Sequence, residues 1–280
     1  HRGGRMWAPE NTMAAFANSL ELGVDGIELD VQRCATGELV VIHDEDLSRT
    51  TNGVSLVIDT SFDELRRLDA GSWFDKEFRG EKIPLLSEVL ELIDGKCTLN
   101  IEVKNAPVRY ENIEEELVSL LEGYRHKETL IISSFDHYVL KRFNELSAGY
   151  KLAVLGDSVM LDLPAYCQAL HAQYYHPGID SCREDIINEC HSAGIRVNPW
   201  TVNGRSAWGR AMNMGVDGIV TNVPAVALEV LRFIWRDDMS TTVRAIEARR
   251  LIDLLADRIF IQKQLVRHLG GENANSVFDP

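Results

Sequence analysis

Gly26-Ile27-Glu28-Leu29-Asp30-Val31 is the stretch on which the fold turns. It reads as a β-strand, and carboxylates one residue apart on a strand point to the same face. Upstream, Asn11 to Leu22 reads as a helix: Met13, Phe16, Ala17 and Leu20 share a face, and Gly23 is the stop. Downstream, Leu39-Val40-Val41-Ile42 reads as a second strand and Cys97 to Val103 as another, carrying Glu102. A helix is expected at about 111–123. The alternation continues through Leu130-Ile131-Ile132-Ser133-Ser134, a helix from Tyr138 to Leu146, and the strand Lys151 to Leu155. Tyr174-Tyr175, Arg196-Val197-Asn198 and Gly218-Ile219-Val220 follow as short strands, with helices at Ile186–Ala193 and Ser206–Met214 between them.

Repeated β-α units favour a parallel sheet with helices outside. The good strands among these number seven, or eight with one ahead of His1, which points to an α/β fold of the (β/α)8 TIM-barrel type. In such a barrel, functional residues gather at the carboxyl ends of the strands. Glu28, Asp30, His43, Glu102, Ser134, His176 and Trp200 all fall at or near those ends. Residues 47–95 break the rhythm. Thr242 to Leu269 reads as one amphipathic helix with Ile246, Leu251, Leu254, Leu255, Ile259 and Leu265 apolar, so 237–280 is expected to be an appendage to a barrel spanning 1–236. Its apolar face would suit pairing with a second copy as a homodimer.

The 280 residues carry a net charge of -14, which argues against nucleic acid as a partner, since phosphate backbones call for clustered Lys and Arg. A small phosphodiester is compatible, because one cation and a few basic side chains dominate a cleft locally. The five cysteines are odd in number and form no CxxC, which favours reduced, packed thiols and a cytoplasmic protein. No stretch is long and apolar enough to span a membrane.

The chemistry gathers in the first 43 residues: His1-Arg2-Gly3, then Glu28 and Asp30, then His43-Asp44. Two imidazoles serve as acid and base near neutral pH. Paired carboxylates hold a hard metal ion, and an arginine suits a phosphate. Together they point to metal-assisted chemistry on a phosphate ester.

His1-Arg2-Gly3, Pro9-Glu10-Asn11-Thr12, Glu28-Leu29-Asp30-Val31, His43-Asp44, Arg49-Thr50-Thr51-Asn52-Gly53, Ile83-Pro84, Asn100-Ile101-Glu102-Val103-Lys104 and Pro199-Trp200-Thr201-Val202-Asn203 occur in this order. The ordered set, over about residues 1–232, resembles the glycerophosphodiester phosphodiesterases. That resemblance implies a (β/α)8 barrel with a segment inserted after the second strand, matching 47–95. It implies Glu28, Asp30 and Glu102 as ligands of one divalent ion, Mg2+ or Ca2+, and His1 and His43 as the acid–base pair. Arg2 and Lys104 become phosphate contacts and Trp200 part of the wall that receives the substrate alcohol. The implied reaction is hydrolysis of glycerophosphodiesters to sn-glycerol 3-phosphate and an alcohol. His1 is taken as base and His43 as acid, an order the sequence leaves open.

Two features depart from the family pattern. The strand expected just before His1 is absent, so the chain reads as a fragment. Thr221-Asn222-Val223-Pro224 carries Asn222 where relatives usually have Asp, an exchange expected to alter only a supporting hydrogen bond. The tail around Leu251 to Arg258 more weakly resembles the first helix of the all-helical chorismate mutases, with Leu269 where a lysine is expected and the later helices absent.

Two other functions fit the same residues. A lysophospholipase D would need an apolar entrance, for which Leu56, Val57, Ile58, Phe62, Trp73, Phe74 and Phe78 are available. A non-catalytic barrel could bind a phosphate metabolite. Arg49-Thr50-Thr51-Asn52-Gly53 is expected to shape a turn rather than touch substrate, His176 fits either a pocket or the core, and His126, His137, His171, His191 and His268 are expected to be surface or structural.

Overall fold

The computed structural model describes residues 1–146 and 149–234. The expected tail helix, its pairing with a second copy and the mutase-like module lie outside the described residues. The helices are α1 (Met13–Leu22), α2 (Phe62–Leu65), α3 (Leu86–Ile93), α4 (Ile113–Glu122), α5 (His137–Glu145), α6 (Leu163–Ala169), α7 (Glu184–Ser192), α8 (Arg205–Met214) and α9 (Pro224–Ile234). The strands are β1 (Gly26–Arg33), β2 (Leu39–Val41), β3 (Thr98–Val103), β4 (Leu130–Ser134), β5 (Lys151–Gly156), β6 (Tyr174–Pro177) and β7 (Arg196–Val197).

The strands form one sheet in the order β2-β1-β3-β4-β5-β6-β7. All neighbours from β1 to β7 are parallel except the β1–β2 pair. Beyond β7 the chain at 217–221 continues the ring: Asp217 N–H donates to Val197 O at 3.0 Å and Val220 N–H to Pro199 O at 2.9 Å. The sheet curls on itself. A single cavity of about 770 Å³ is lined at once by Ile27, Asn100, Ile131, His176, Asn198 and Val220, which come from one edge of the sheet through to the other. Residues that far apart in strand order meet only inside a rolled sheet, so the architecture is that of the TIM barrel.

The turn beginning at His1 links the two edges at the carboxyl end. His1 backbone nitrogen donates to Thr221 O at 2.9 Å, and Arg2 N–H to Glu28 Oε2 at 2.8 Å. Gly3 follows with φ 75°, and a Cβ there would lie 2.8 Å from Ala15 Cβ. Only glycine lets this turn press onto α1. Thr12 caps that helix, its Oγ1 accepting from Ala15 N–H at 3.3 Å, and Gly23 ends it in the left-handed region.

The main core lies between the sheet and its helices, where Phe16, Leu29, Val31, Val89, Ile101 and Phe143 are buried together. Each such side chain contributes about 1.5–3 kcal/mol relative to exposure. All five thiols are free, and Cys182 alone is partly exposed.

One strand differs from its expectation. Leu39-Val40-Val41-Ile42 was expected as a stave of the β-α rhythm, but β2 runs antiparallel to β1, with Val31 opposite Val41 and Arg33 opposite Leu39. A short turn at Ala35-Thr36-Gly37 makes this hairpin, which periodicity cannot tell from a crossover. The excursion from the barrel therefore starts soon after Arg33 rather than at 47. It packs a small core of its own from Cys34, Val40, Ile42, Leu47, Leu65 and Ile83. Val57 is buried there, and Trp73, Phe74 and Phe78 stack edge-to-face, half-buried.

Candidate active site

The hairpin explains how His43 reaches the barrel mouth. Because β2 runs backwards along β1, it brings the chain down to the level of Asp30, where Ile42 N–H donates to Asp30 O at 3.0 Å. A parallel stave would have carried His43 away. In the ladder between β1 and β3, Asp30 stands opposite Glu102 and Glu28 opposite Asn100. Strand alternation thus aims three carboxylates at one point: Glu28, Asp30 and Glu102 each present an oxygen within 4.8 Å of the others.

All three are buried, and their partners are few. Glu28 Oε2 accepts from Arg2 N–H, Asp30 Oδ2 from Asn11 Nδ2 at 2.8 Å, and Glu102 Oε1 from Lys104 Nζ at 2.9 Å. Glu28 Oε1 and Asp30 Oδ1 are buried without a hydrogen-bond partner among the described residues. Burial, then the charge of Asp30, pushes Glu28 up to about 7 and Glu102 likewise to about 7. Asp30 is also opposed by burial, yet His43, Arg2 and Lys104 hold its carboxyl below the usual range. Two buried acids poised to protonate around a third that stays charged form an unsatisfied anionic pocket. Oxygen-only donors with orphaned atoms fit a hard divalent cation.

Lys104, just past β3, bridges the pocket and the histidine. Its Nζ lies 3.9 Å from Asp30 Oδ1 and 3.3 Å from His43 Nε2. His43 Nδ1 faces Asp44 Oδ1 at 2.6 Å. Asp44 is gripped by Arg49 through both Nε and Nη2, and Arg49 Nη2 also reaches Glu10 Oε1 at 2.7 Å. Glu10 in turn accepts from Arg2 Nη1 at 2.9 Å, and Arg2 Nε lies 3.4 Å from Asp30. One network therefore runs from His43 to the carboxylate pocket. Burial opposes the charge on Glu10, but Arg2, Arg49 and Arg5 override it and bring its carboxyl down to about 2.

His1 sits at the other side of the pocket, beside Glu28, with its Nδ1 2.5 Å from Asn222 Oδ1. Trp200, beyond β7, donates from its indole N–H to His176 O at 2.9 Å and meets Phe135 edge-on at 5.5 Å. Phe135 is 43% exposed, so the pair forms an aromatic rim. His176 is buried and lines the barrel cavity; burial pushes it down to about 4, and its ring faces Asn198 Nδ2 at 3.3 Å.

The structure thus gathers Glu28, Asp30, Glu102, Lys104, Arg2 and His43 in one connected cluster, with His1 adjoining it through Arg2 and Glu28. Trp200 stands at the rim, bonded to His176 and packed on Phe135. Glu10, Asn11, Arg49 and Phe135 join the site without having been assigned a role there from sequence, and Asn222, expected to affect a supporting hydrogen bond, makes one to His1. Arg49 does more than shape its turn, since it clamps Asp44 and Glu10 together. Glu10 and Asn11 belong to the Pro9–Thr12 motif, which was the available signal.

A barrel with a cation-ready acidic pocket at its carboxyl end, flanked by histidines, is the layout of a hydrolytic enzyme. The chain belongs to the glycerophosphoryl diester phosphodiesterase family, whose profile matches residues 1–226, and is a phosphoric diester hydrolase. A glycerophosphodiester phosphodiesterase of Caldanaerobacter subterraneus subsp. tengcongensis is 41% identical over 233 residues, 83% of this chain and 96% of that one. A namesake from Bacillus altitudinis is 40% identical over 234 residues, 82% of this chain and 96% of that one. Among solved structures, a phosphodiesterase of Oleispira antarctica in complex with the product sn-glycerol-3-phosphate superposes with a TM-score of 0.77 at 28% identity, covering 83% of this chain and 95% of that chain. Among the described residues no helix is long and apolar enough to cross a membrane.

Proposed function

We propose that the chain hydrolyses glycerophosphodiesters to sn-glycerol 3-phosphate and an alcohol, with a divalent ion, Mg2+ or Ca2+, held by Glu28, Asp30 and Glu102, and with His1 and His43 exchanging the protons. The observation that carries this reading is the buried triad with two orphaned oxygens, Glu28 Oε1 and Asp30 Oδ1. When bound, the ion withdraws electron density from the phosphoryl oxygens and stabilises charge in the transition state.

The remaining work falls to this chain's side chains. A diester carries one negative charge, which Lys104 and Arg2 help neutralise. Lys104 is the one whose ammonium is shared among Glu102, Asp30 and His43, so that it can turn to a phosphate oxygen. Arg2 is fixed by Glu10 and Asp30 and acts chiefly as a buried positive charge. One histidine takes the proton of the attacking hydroxyl and the other gives a proton to the leaving alkoxide, which is otherwise a poor leaving group. For a glycerol ester the first nucleophile is the glycerol 2-hydroxyl. Its O–P bond forms as the alcohol's O–P bond breaks, giving a cyclic phosphate that water then opens with the proton roles reversed. The internal nucleophile has a large proximity advantage. The aromatic rim of Trp200 and Phe135 would receive the departing alcohol.

The test is hydrolysis of glycerophosphocholine and glycerophosphoethanolamine with Mg2+ or Ca2+, then with EDTA, beside His43→Ala. Metal-dependent release of glycerol 3-phosphate, lost in the variant, is expected. A folded protein that releases none with either ion overturns the reading.

A further inference from the structure

The carboxylate triad occupies the side of the mouth built by β1 and β3, and the ends of β4 to β7 give the remaining side a different chemistry. Ile131, Ala153 and Tyr174 pack together inside the barrel, and Ile131, Tyr174 and Asn198 line its cavity. Strand alternation carries that inward face on to Phe135 past β4, Asp157 past β5, Gly178 past β6 and Trp200 past β7. Gly156 stands opposite Pro177, so Asp157 and Gly178 come next, side by side, and Gly178 in turn bridges to Trp200. Gly178 therefore separates Asp157 from Trp200 and puts no side chain between them. A Cβ at position 178 would lie 2.3 Å from Asp157 Oδ1. The carboxylate thus rests where a side chain of the β6 end would be, one strand from the indole.

Asp157 is exposed and, among the described residues, has no hydrogen bond or ion pair. The other acids of these loops are engaged: Asp136 Oδ2 accepts from Asn105 Nδ2 at 2.9 Å, and Asp180 Oδ1 from Arg210 Nη2 at 2.5 Å. Trp200 is fixed by its indole N–H on His176 O, and the Phe135 ring stands at 88° to it. Two perpendicular aromatic rings beside such a carboxylate suit an organic cation: ring faces attract positive charge, and the carboxylate supplies the counter-charge. We propose that Asp157, Phe135 and Trp200 receive the ammonium group of a cationic alcohol, so that the chain favours glycerophosphodiesters whose leaving alcohol is positively charged, such as choline, over those of a neutral polyol. This rests on the phosphodiesterase reading above and names its substrate class. With the phosphate at the triad and Lys104, the alcohol extends towards β4–β7, where a charged head gains both the rings and Asp157. A neutral polyol gains neither the ring attraction nor the charge.

The experiment reads the ratio of kcat/KM for glycerophosphocholine to that for glycerophosphoglycerol, with Mg2+ or Ca2+. Asp157→Asn should lower this ratio about fivefold, the scale of an exposed charge pair, and Asp157→Lys should lower it further. Phe135→Leu, which keeps an apolar side chain and removes the ring, should lower it about threefold. Added salt should lower the ratio in the parent and not in Asp157→Asn, because an exposed pair is screened. A second arm needs no turnover: saturation-transfer NMR compares choline with its carbon isostere, which has a tert-butyl group in place of the trimethylammonium. Transfer to the choline methyls is expected, weaker for the isostere and weaker in Asp157→Asn. A ratio unmoved by Asp157→Lys, an isostere that binds as well as choline, or no transfer to choline would each overturn the assignment. Should the parent turn over no glycerophosphodiester, the proposed function fails, and the choline comparison still decides whether this side of the mouth takes a cation.

Discussion

Two groups of acids share the mouth of this barrel, and they are treated oppositely. Glu10 and Asp44 are saturated: Arg2 and Arg49 bond to Glu10, Arg49 also clamps Asp44, and Glu10 is brought down to about 2. Glu28 and Glu102, a few ångströms away, are pushed up to about 7, and the group they form with Asp30 keeps two orphaned oxygens. Burial penalises the charged form in both places. What differs is the counter-charge supplied. Arginines saturate the oxygens of Glu10 and Asp44, whereas in the triad His43, Arg2 and Lys104 hold Asp30 low and leave Glu28 and Glu102 raised. A buried acidic cluster is therefore a frame or a receptor according to whether its oxygens are already taken.

The largest effect should come from the receptor. Glu102→Gln removes a ligand and is expected to cost about 10³-fold or more in kcat/KM, since a bound ion supplies several kcal/mol of transition-state stabilisation. The same change relieves repulsion with Asp30, so the metal-free protein should melt at or above the parent. Turnover with Mg2+ or Ca2+ and melting in EDTA check both halves, and a variant that loses stability without ion would place Glu102 in the frame. The frame should behave the other way. Glu10→Ala leaves the buried Arg2 and the half-buried Arg49 without their shared partner, a loss of about 3 kcal/mol in urea unfolding. A loss under about 1 kcal/mol would mean that water or Asp44 replaces Glu10, and the comparison would fail.

The receptor was far more legible in the sequence than the frame. Glu28 and Asp30 lie two apart on an evident strand, and Glu102 falls at the end of another, so period two alone aims them together. The β-α rhythm likewise exposes the barrel. What stayed hidden depends on contacts distant in sequence or on pairing direction. Arg49 reads as part of a turn because its partner Glu10 is 39 residues away. The contact of Asn222 with His1 spans 221 residues and exists only because the sheet rolls up. The antiparallel sense of β2 was invisible because a short apolar strand has the same pattern in either direction. Trp200 stands in a motif that draws attention to it, but its neighbour Phe135 lies just past a strand with no motif around it.

The link between the two groups is the next place to press. Arg49 holds Asp44, and Asp44 holds His43, so Arg49→Met should loosen the ring while leaving the carboxylate pocket whole. A fall of about 10–100-fold in kcat/KM is expected, with the ion-induced rise in Tm unchanged. Arg49→Lys should recover little, because a single ammonium cannot make the paired contacts to Asp44 and Glu10. If the methionine variant instead loses its response to the ion, frame and receptor are one unit.

The smallest effect separates the groups by pH. A carboxyl raised on folding binds its proton more tightly in the native state. Its stabilisation is complete below the unfolded value, 4.5, and is lost as pH rises through about 7. Glu10, lowered to about 2, does the reverse: its contribution is present above 4.5 and is lost as pH falls towards 2. In EDTA these opposing slopes should place maximum Tm on the acid side of neutrality, with a decline between about pH 5 and 7.5 of a few degrees. Saturating Mg2+ or Ca2+ binds only the deprotonated triad, so it should abolish or invert that decline, and the gain in Tm from the ion should grow with pH. An ion effect that is flat from pH 5 to 7.5 would mean that Glu28 and Glu102 are already ionised at pH 5. The receptor would then differ from the frame in its missing partners but not in its protonation.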